Sequence, residues 1–299
     1  MSTAAAVEKT QGHKRPYRVD YAERPGPPRR APRRLYDQPV SGATTSPDGT
    51  IIRWVAVGQG PPLVLVPGGL GDEHAFDPLV DRLAARLCCL TMGRRGKGLS
   101  DDSPDYSYDC EYDDVTAVVD AVGPPRFLFA HSSGAICALG AALISRLDKL
   151  VLVEPPLPLD EPGIDPEHYS AVLAALKSGE RERAVLLAFR HALRLEPRAI
   201  ETLRSRDDWP DVLQRGVAWV RELAEINQLP PDVGRYKVIE APTLLIYGTA
   251  TQGRRRNAVE ALGEAIPNAH VIGFAGHGHD VANTAAEDVA SAVTAFLKV

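Results

Sequence analysis

Cysteine is scarce in this sequence, with four residues among 299. Cys88 and Cys89 are neighbours, while Cys110 and Cys137 share no metal-ligand spacing with them or with each other. So few and so scattered cysteines exclude a disulfide framework, and their spacing indicates no metal site. The sequence therefore favours a reducing compartment, and we predict a cytoplasmic location.

Long hydrophobic runs are missing as well. No segment reaches the roughly 18 consecutive apolar residues that a membrane-spanning helix needs, and the N-terminus lacks the apolar centre of a secretory signal. The excess of charge is small, with 34 basic and 39 acidic residues and a net charge of −5. We expect neither a membrane nor nucleic acid as a partner. The oligomeric state is left open, with a homo-oligomer as one candidate.

Residues 1–36 differ in composition from the rest of the chain. They hold nine Lys and Arg against three acidic residues, so they carry +6 while the other 263 residues carry −11. They are rich in Pro, Arg and Ala without apolar periodicity, and cannot offset the entropy of ordering on their own. We predict an irregular arm that docks on the acidic body or on a neighbouring subunit.

The whole chain is 44% hydrophobic, and the sequence after residue 36 alternates short apolar runs with amphipathic segments. A Ser-Pro-Asp-Gly turn at 46–49 predicts a hairpin, and the wholly apolar run at 63–66 is typical of a strand buried on both faces. Helical and strand patterns then alternate, which predicts an α/β fold with a mainly parallel sheet. The alternation stops over 155–236, which we interpret as a helical lid between core segments 37–154 and 237–299.

The sharpest motif is Ala130-His131-Ser132-Ser133-Gly134, which lies between an apolar strand and an apolar helix. Small residues two before and two after a serine let strand and helix backbones meet in a strained turn that exposes the hydroxyl. The motif therefore predicts that Ser132 is a nucleophile and that His131 supports the turn. The plainer alternative is a serine that only caps the helix.

A serine hydroxyl needs a base to remove its proton. Two histidines, His277 and His279, follow the last predicted strand, where a base would lie over the same edge of the sheet. We favour His279, because Glu287 and Asp288 follow it at a helix start in the usual layout of this loop. His277 is interpreted as a packing residue of the loop.

The acid that orients the base departs from the usual layout. In many enzymes of this architecture it lies three residues past the glycine that ends the strand near residue 248. That position is Thr251, and the loop has no carboxylate. Glu154, at the end of the preceding strand, keeps the chain order of nucleophile, acid and base and is our leading candidate. Asp160 and Glu161 stay open as alternatives.

Acyl transfer also needs N–H donors for the developing oxyanion. The amide of Ser133 is one candidate, and Gly69 in the glycine-rich loop 67–71 is the other. A second glycine-rich segment, 93–98, lacks the ending of a phosphate-binding loop and follows the wrong strand for a dinucleotide site. The run Arg254-Arg255-Arg256 is interpreted as a solvated charge run rather than an anion site.

The substrate pocket is less well defined by the sequence. We predict that His74, Leu70, Trp209 and Trp219 line it, which favours a fairly large apolar small molecule as the substrate. Tryptophan at helical spacing is also typical of a lid's own core.

Over residues 40–299 the sequence resembles the α/β-hydrolase superfamily, on the strand pattern, the Ser132 motif, the loops 67–71 and 95–100 and the Gly-His pair. Within it, segments 66–71 and 132–135 and the Glu154-Pro-Pro sequence resemble the subgroup that includes zearalenone lactonases. The resemblance implies Glu154 as the triad acid, a helical cap, no cofactor and esters or lactones as substrates. Gly93 stands where the family usually has Asp, a departure that concerns loop geometry rather than chemistry.

These observations predict a serine hydrolase without cofactor or metal, acting on an ester or lactone through an acyl-enzyme. Two rival hypotheses keep the fold. One is a lyase or cyclase that uses His279 as a base without an acyl-enzyme, and the other is a non-catalytic binding protein. Ser132 excludes the aspartate nucleophile of epoxide and haloalkane hydrolases.

Overall fold

The computed structural model of the chain describes residues 40–251 and 253–299. The predicted arm over 1–36 and the predicted boundary at residue 37 lie outside the described residues. The described strands form one sheet with these bounds: β1 Val40–Thr45, β2 Ile51–Val57, β3 Pro62–Val66, β4 Cys88–Met92, β5 Phe127–His131, β6 Lys149–Val153, β7 Thr243–Gly248 and β8 Ala269–Phe274.

The sheet is mainly parallel. Its strand order is β1-β2-β4-β3-β5-β6-β7-β8, with β1 and β2 antiparallel, β2 and β4 antiparallel, and every later pair parallel. The predicted hairpin turn forms because Gly49 adopts a φ of 89° and the Asp48 carboxylate accepts from the Thr50 amide at 2.9 Å. The α/β fold predicted from the alternating pattern is confirmed.

Helices cover the sheet and fill the long interval between β6 and β7. The helices of the described residues are α1 Asp77–Leu83, α2 Tyr108–Val122, α3 Ser133–Ile144, α4 Pro166–Lys177, α5 Arg181–His191, α6 Pro197–Arg204, α7 Trp209–Gln228, α8 Arg254–Ala265, α9 Val281–Thr284 and α10 Ala286–Leu297. A short 3-10 helix, Gly234–Val238, precedes β7. We call α4 to α7 the helical insertion. In the described ranges, none of the helices has the length and apolar character to cross a membrane.

The local sequence explains where several helices begin. The helices α4, α6 and α7 each have a proline in their first turn. A backbone N–H there has no intrahelical acceptor, so proline costs no helical hydrogen bond. The helix α2 begins after Ser107, whose hydroxyl accepts from the Cys110 amide at 3.3 Å, and ends at Gly123 with a φ of 82°. These start and stop signals fix the helix bounds without help from tertiary contacts.

The core lies on both faces of the sheet. In β5, Leu128 and Ala130 face one apolar cluster while Phe127 and Phe129 face the other, which is why the first four positions of this strand are apolar. The first cluster continues into the helical insertion through residues such as Trp219. The insertion therefore shares its apolar packing with the sheet and is held close above the carboxyl ends of the strands.

Candidate active site

Ser132 occupies a strained turn between β5 and α3. Its φ is 55° and its ψ is −130°, a backbone conformation that non-glycine residues rarely adopt outside functional sites. Its amide donates to the Val153 carbonyl at 2.8 Å. A Cβ at Gly134 would lie 2.6 Å from the Val66 carbonyl oxygen, so the turn requires glycine there. The expected close approach of strand and helix is therefore present.

His279 lies between Ser132 and a buried carboxylate. The Ser132 hydroxyl donates to His279 Nε2 at 2.9 Å, and His279 Nδ1 donates to Glu154 Oε2 at 2.6 Å. The carboxylate can only accept, which assigns the proton to Nδ1 and leaves Nε2 free to accept. His131 Nε2 donates to the His279 carbonyl at 2.9 Å and holds the loop in place. The structure thus brings together the three predicted residues.

Glu154 is fully buried at the carboxyl end of β6, with a φ of 47°. Its Oε1 accepts from the Gly248 amide at 2.8 Å, while Oε2 faces His279. Burial raises the pKa of Glu154, and the hydrogen bond from the Gly248 amide opposes that rise. Thr251, the position where the acid usually lies, belongs to the same turn, because its amide donates to the Gly248 carbonyl at 2.9 Å.

Electrostatics favour a neutral base. Burial holds the pKa of His279 well below its ordinary value, and the guanidinium groups of Arg255 and Arg254 lower it further. The imidazole is 30% exposed and therefore open to the substrate side. At neutral pH this histidine is ready to accept a proton.

The rival candidates lie elsewhere. His277 Nδ1 pairs with the Thr284 hydroxyl at 3.0 Å. Asp160 accepts from Asn257 at 2.5 Å, and Glu161 pairs with Arg194 at 2.7 Å on the surface. None of these three contacts involves Ser132 or His279.

The two predicted oxyanion donors flank the nucleophile. Ser133 opens α3, where an amide has no intrahelical acceptor. The loop after β3 passes over the serine, since a Cβ at Gly68 would lie 3.0 Å from the Ser132 Cβ. The ring of Trp219 lies directly against Gly69. Gly68 therefore lies against Ser132, and the predicted donor Gly69 is the next residue of that loop.

The structure separates the four predicted pocket residues. Trp219 is buried against the glycine-rich loop 67–71, which we call the oxyanion loop. The Leu70 carbonyl in this loop accepts from Arg215 at 2.9 Å. Trp209 packs on the Phe189 ring, 6.4 Å away, inside the helical insertion. His74 is exposed, 3.4 Å from Asp77. Trp219 and Leu70 are at the site, whereas the contacts of Trp209 and His74 are made elsewhere.

A buried ion network behind the nucleophile was not predicted. Arg94 pairs with Glu111 at 2.7 Å and with Glu222 at 3.0 Å, and Lys97 also contacts Glu222. We call these four residues the buried ion network. Burial raises the pKa of Glu111, but Arg94 outweighs it and holds that pKa at about 2. Arg94 also donates to the Ser133 hydroxyl at 3.0 Å. The network therefore joins the strained turn at Ser132 to α2 and to α7.

The network left little signal in the sequence. Its cations belong to the glycine-rich segment 93–98, and its acids lie in α2 and α7, far away along the chain. Just after this segment, the Ser100 hydroxyl donates to the Gly93 carbonyl at 2.6 Å and accepts from the Arg53 amide at 2.8 Å. These bonds hold the loop at Gly93, the position where the family usually has Asp.

The side chains of residues 254–256 are each partly buried rather than fully solvated. Arg256 pairs with Glu260 at 2.9 Å, whereas the Nε atoms of Arg254 and Arg255 are buried and have no hydrogen-bond partner among the described residues. Burial and the neighbouring Arg255 together lower the pKa of Arg254 to about 10. The β7–α8 loop packs against the His279 loop, where the Ala250 amide donates to the His277 carbonyl at 2.9 Å.

Residues 63–292 match the model of the alpha/beta hydrolase family. The chain belongs to the alpha/beta hydrolase family. The predictions of this superfamily, of its fold and of an enzyme of this class are confirmed.

Relatives of this chain include hydrolases of known structure or activity. An alpha/beta hydrolase from Sphaerobacter thermophilus is 30% identical with a TM-score of 0.75, covering 86% of this chain and 100% of that one. N-formylmaleamate deformylase from Pseudomonas putida is 33% identical over 124 residues, 40% of this chain and 46% of the relative, so less than half of that protein is matched. A pimeloyl-[acyl-carrier protein] methyl ester esterase from Xanthomonas oryzae pv. oryzae is 28% identical over 81% of this chain and 96% of the relative.

Proposed function

We propose that the chain is a cofactor-independent serine hydrolase that cleaves an ester or lactone through Ser132, His279 and Glu154. The observation that carries the proposal is the hydrogen-bond chain, with 2.9 Å from Ser132 Oγ to His279 Nε2 and 2.6 Å from His279 Nδ1 to Glu154 Oε2. The similarity to a methyl ester esterase supports ester substrates. The narrower resemblance to zearalenone lactonases stays a prediction.

The first half of the reaction forms an acyl-enzyme. Ser132 Oγ attacks the carbonyl carbon while its proton passes to His279 Nε2. Glu154 stabilises the imidazolium that results, because its carboxylate already accepts from Nδ1 in the resting site. The amides of Gly69 and Ser133 bind the oxyanion, and the loss of one such donor typically lowers kcat by about 10²–10³-fold.

The second half releases the products. The tetrahedral intermediate collapses, the bond to the leaving alkoxide breaks, and His279 returns the proton to that oxygen. Water then attacks the acyl-enzyme with His279 as base, and Ser132 is freed with a carboxylic acid as product. In a lactone the leaving alkoxide stays attached, so the product is one hydroxy acid.

We also propose that the helical insertion acts as a lid. Trp219 lies on Gly69, so α7 covers the oxyanion loop and offers an aromatic surface to an apolar substrate. The basic arm, the cytoplasmic location and the lack of a cofactor stay predictions.

The triad is tested with para-nitrophenyl butyrate as the probe ester. Ser132→Ala and His279→Ala are expected to lower kcat by at least about 10⁴-fold, as removal of a nucleophile or base does in other triads. Ser205→Ala, an exposed serine of the insertion, is the control and keeps the wild-type rate. An unchanged rate in Ser132→Ala would contradict the mechanism.

A fluorophosphonate probe separates the proposal from its rival. Stoichiometric labelling that is lost in Ser132→Ala supports an acyl-enzyme. A folded protein that resists labelling favours a lyase or cyclase with His279 as base.

A further inference from the structure

The first turn of α8 holds two partly buried guanidinium groups that lack full pairing. The Nε atoms of Arg254 and Arg255 are buried and have no hydrogen-bond partner among the described residues. Arg254 donates one Nη to the Pro162 carbonyl at 2.5 Å. In the described part of the chain, no ion pair joins Arg255 to a carboxylate, although Glu154 acts on it from a distance. We call these two residues the arginine pair.

The arginine pair lies beside the triad. The β7–α8 loop that leads into it donates the Gly248 amide to Glu154 at 2.8 Å and the Ala250 amide to the His277 carbonyl at 2.9 Å. Arg254 reaches Pro162, in the segment that joins Glu154 to the helical insertion. The pair therefore lies where the acid, the histidine loop and the insertion meet.

The charges of the pair reach the reacting groups. Both guanidinium groups lower the pKa of His279, and Arg255 also lowers that of Glu154. Charges interact more strongly where solvent is partly excluded. These pKa shifts support the placement that the loop contacts establish.

An unpaired buried cation is unfavourable on its own. Buried polar groups in folded proteins nearly always have a partner, and two adjacent guanidinium groups also repel each other. The buried ion network shows how this chain treats cations that serve packing, since each one there faces a carboxylate. Among the described residues, no carboxylate forms an ion pair with the arginine pair, so a carboxylate from outside the fold can take that place.

We propose that Arg255, assisted by Arg254, binds a free carboxylate of the substrate, so that the enzyme prefers esters that bear a negative charge. This rests on the proposed function. The planar guanidinium fork matches the two oxygens of one carboxylate. The apolar part of the same substrate then lies toward Trp219 and the oxyanion loop. A carboxylate on the substrate replaces the partner that the fold does not supply.

The test compares matched esters with and without the charge. One series has the carboxylate in the acyl part, as monomethyl succinate and monomethyl glutarate. The other has it in the alcohol part, as acetoxyacetate and acetoxypropionate. Each is paired with the analogue in which a primary amide replaces the carboxylate, and kcat/KM is measured for all.

Wild-type enzyme is expected to prefer the charged ester in at least one series. Arg255→Gln should lower kcat/KM for that ester by about 10- to 100-fold, the usual effect of losing a hydrogen bond to a charged group. Its rate on the amide analogue should change by less than about threefold on the same scale. Arg255→Lys keeps the charge without the fork and should fall between the two. Arg256→Gln, whose native partner is Glu260, is the matched control and should keep the wild-type preference.

A second measurement needs no variant. Succinate should inhibit the wild-type enzyme at least about tenfold more strongly than succinamide, since only succinate offers carboxylates to the arginine pair. Equal inhibition, or a charge preference that Arg255→Gln leaves unchanged in both series, overturns the inference. Hydrolysis that persists in Ser132→Ala overturns the proposed function instead, so the two failures are distinct.

Discussion

Two groups of buried charges flank the triad, and they are built differently. Behind Ser132, the buried ion network matches two cations with two carboxylates, all almost completely excluded from solvent. Beside His279, the described residues offer the arginine pair no carboxylate within ion-pair distance. Each charge of the first group therefore faces an opposite charge of the chain, whereas the second group lacks that pairing. On our proposal, the contrast separates charges that hold the fold from charges that bind the substrate.

The paired group acts on position. Arg94 contacts Glu111 of α2, Glu222 of α7 and the hydroxyl of Ser133 at the start of α3. Replacing a buried ion pair by apolar residues is often harmless, but removing one member leaves an uncompensated charge. The network therefore matters less for net stability than for fixing the position of α7 relative to the strained turn at Ser132.

The largest effect on activity is expected for the triad acid, which lies beside His279. Glu154→Gln should lower kcat by about 10⁴-fold, because an amide cannot stabilise the imidazolium or select its tautomer. Since Thr251 lies beside this carboxylate, Thr251→Asp added to Glu154→Gln should restore part of the rate. The rates are measured with para-nitrophenyl butyrate.

The control for this relocation is Thr251→Asp alone. It places two carboxylates together and is expected to give no gain in rate. If Glu154→Gln keeps wild-type activity, Glu154 is not the triad acid. The comparison between the buried ion network and the charges beside His279 then fails on the His279 side.

The next effect is on stability, at the paired group. Arg94→Met should lower the free energy of unfolding by about 3–5 kcal/mol, since it leaves two buried carboxylates facing one lysine. Adding Glu111→Leu restores neutrality and should recover part of the loss. Both are followed by chemical denaturation.

Arg126→Met is the surface control for this prediction. Arg126 pairs with Asp120 at 3.0 Å with both side chains more than one-third exposed, and its loss should change stability by no more than about 1 kcal/mol. Equal effects of Arg94→Met and Arg126→Met would show that burial does not distinguish the two kinds of pair.

Local patterns were enough to single out Ser132 and His279, which the structure joins by a hydrogen bond. Ser132 stands out because strand, small residues and helix all constrain one short segment. His279 stands out because it follows the last strand, and parallel strands end at the same edge. Glu154 could be placed only through chain order, since the structure supplies the missing fact that β6 and β7 are neighbours.

Contacts between distant segments could not be predicted. The partners of Arg94 lie in two helices separated by the whole of β5, β6 and most of the insertion. Trp209 and Trp219 have the same helical pattern, yet only Trp219 reaches the oxyanion loop. Arg255 and Arg256 are adjacent and both partly buried, yet only Arg256 forms an ion pair among the described residues, with Glu260.

The smallest expected effect is on the pH dependence of hydrolysis, measured with an uncharged ester. Catalysis requires a neutral His279, and burial together with the arginine pair holds its pKa well below the ordinary value. Wild-type activity should therefore persist at pH values below the usual pKa range of histidine and fall only at lower pH.

Arg255→Gln removes one cation while Glu154, His131 and Arg254 stay in place, so the pKa of His279 rises. The acidic limb of the kcat/KM profile then moves to higher pH, whereas Arg256→Gln leaves it where it was. An acidic limb that is the same in Arg255→Gln and the wild type would place Arg255 too far from His279 to contact a substrate held by the triad.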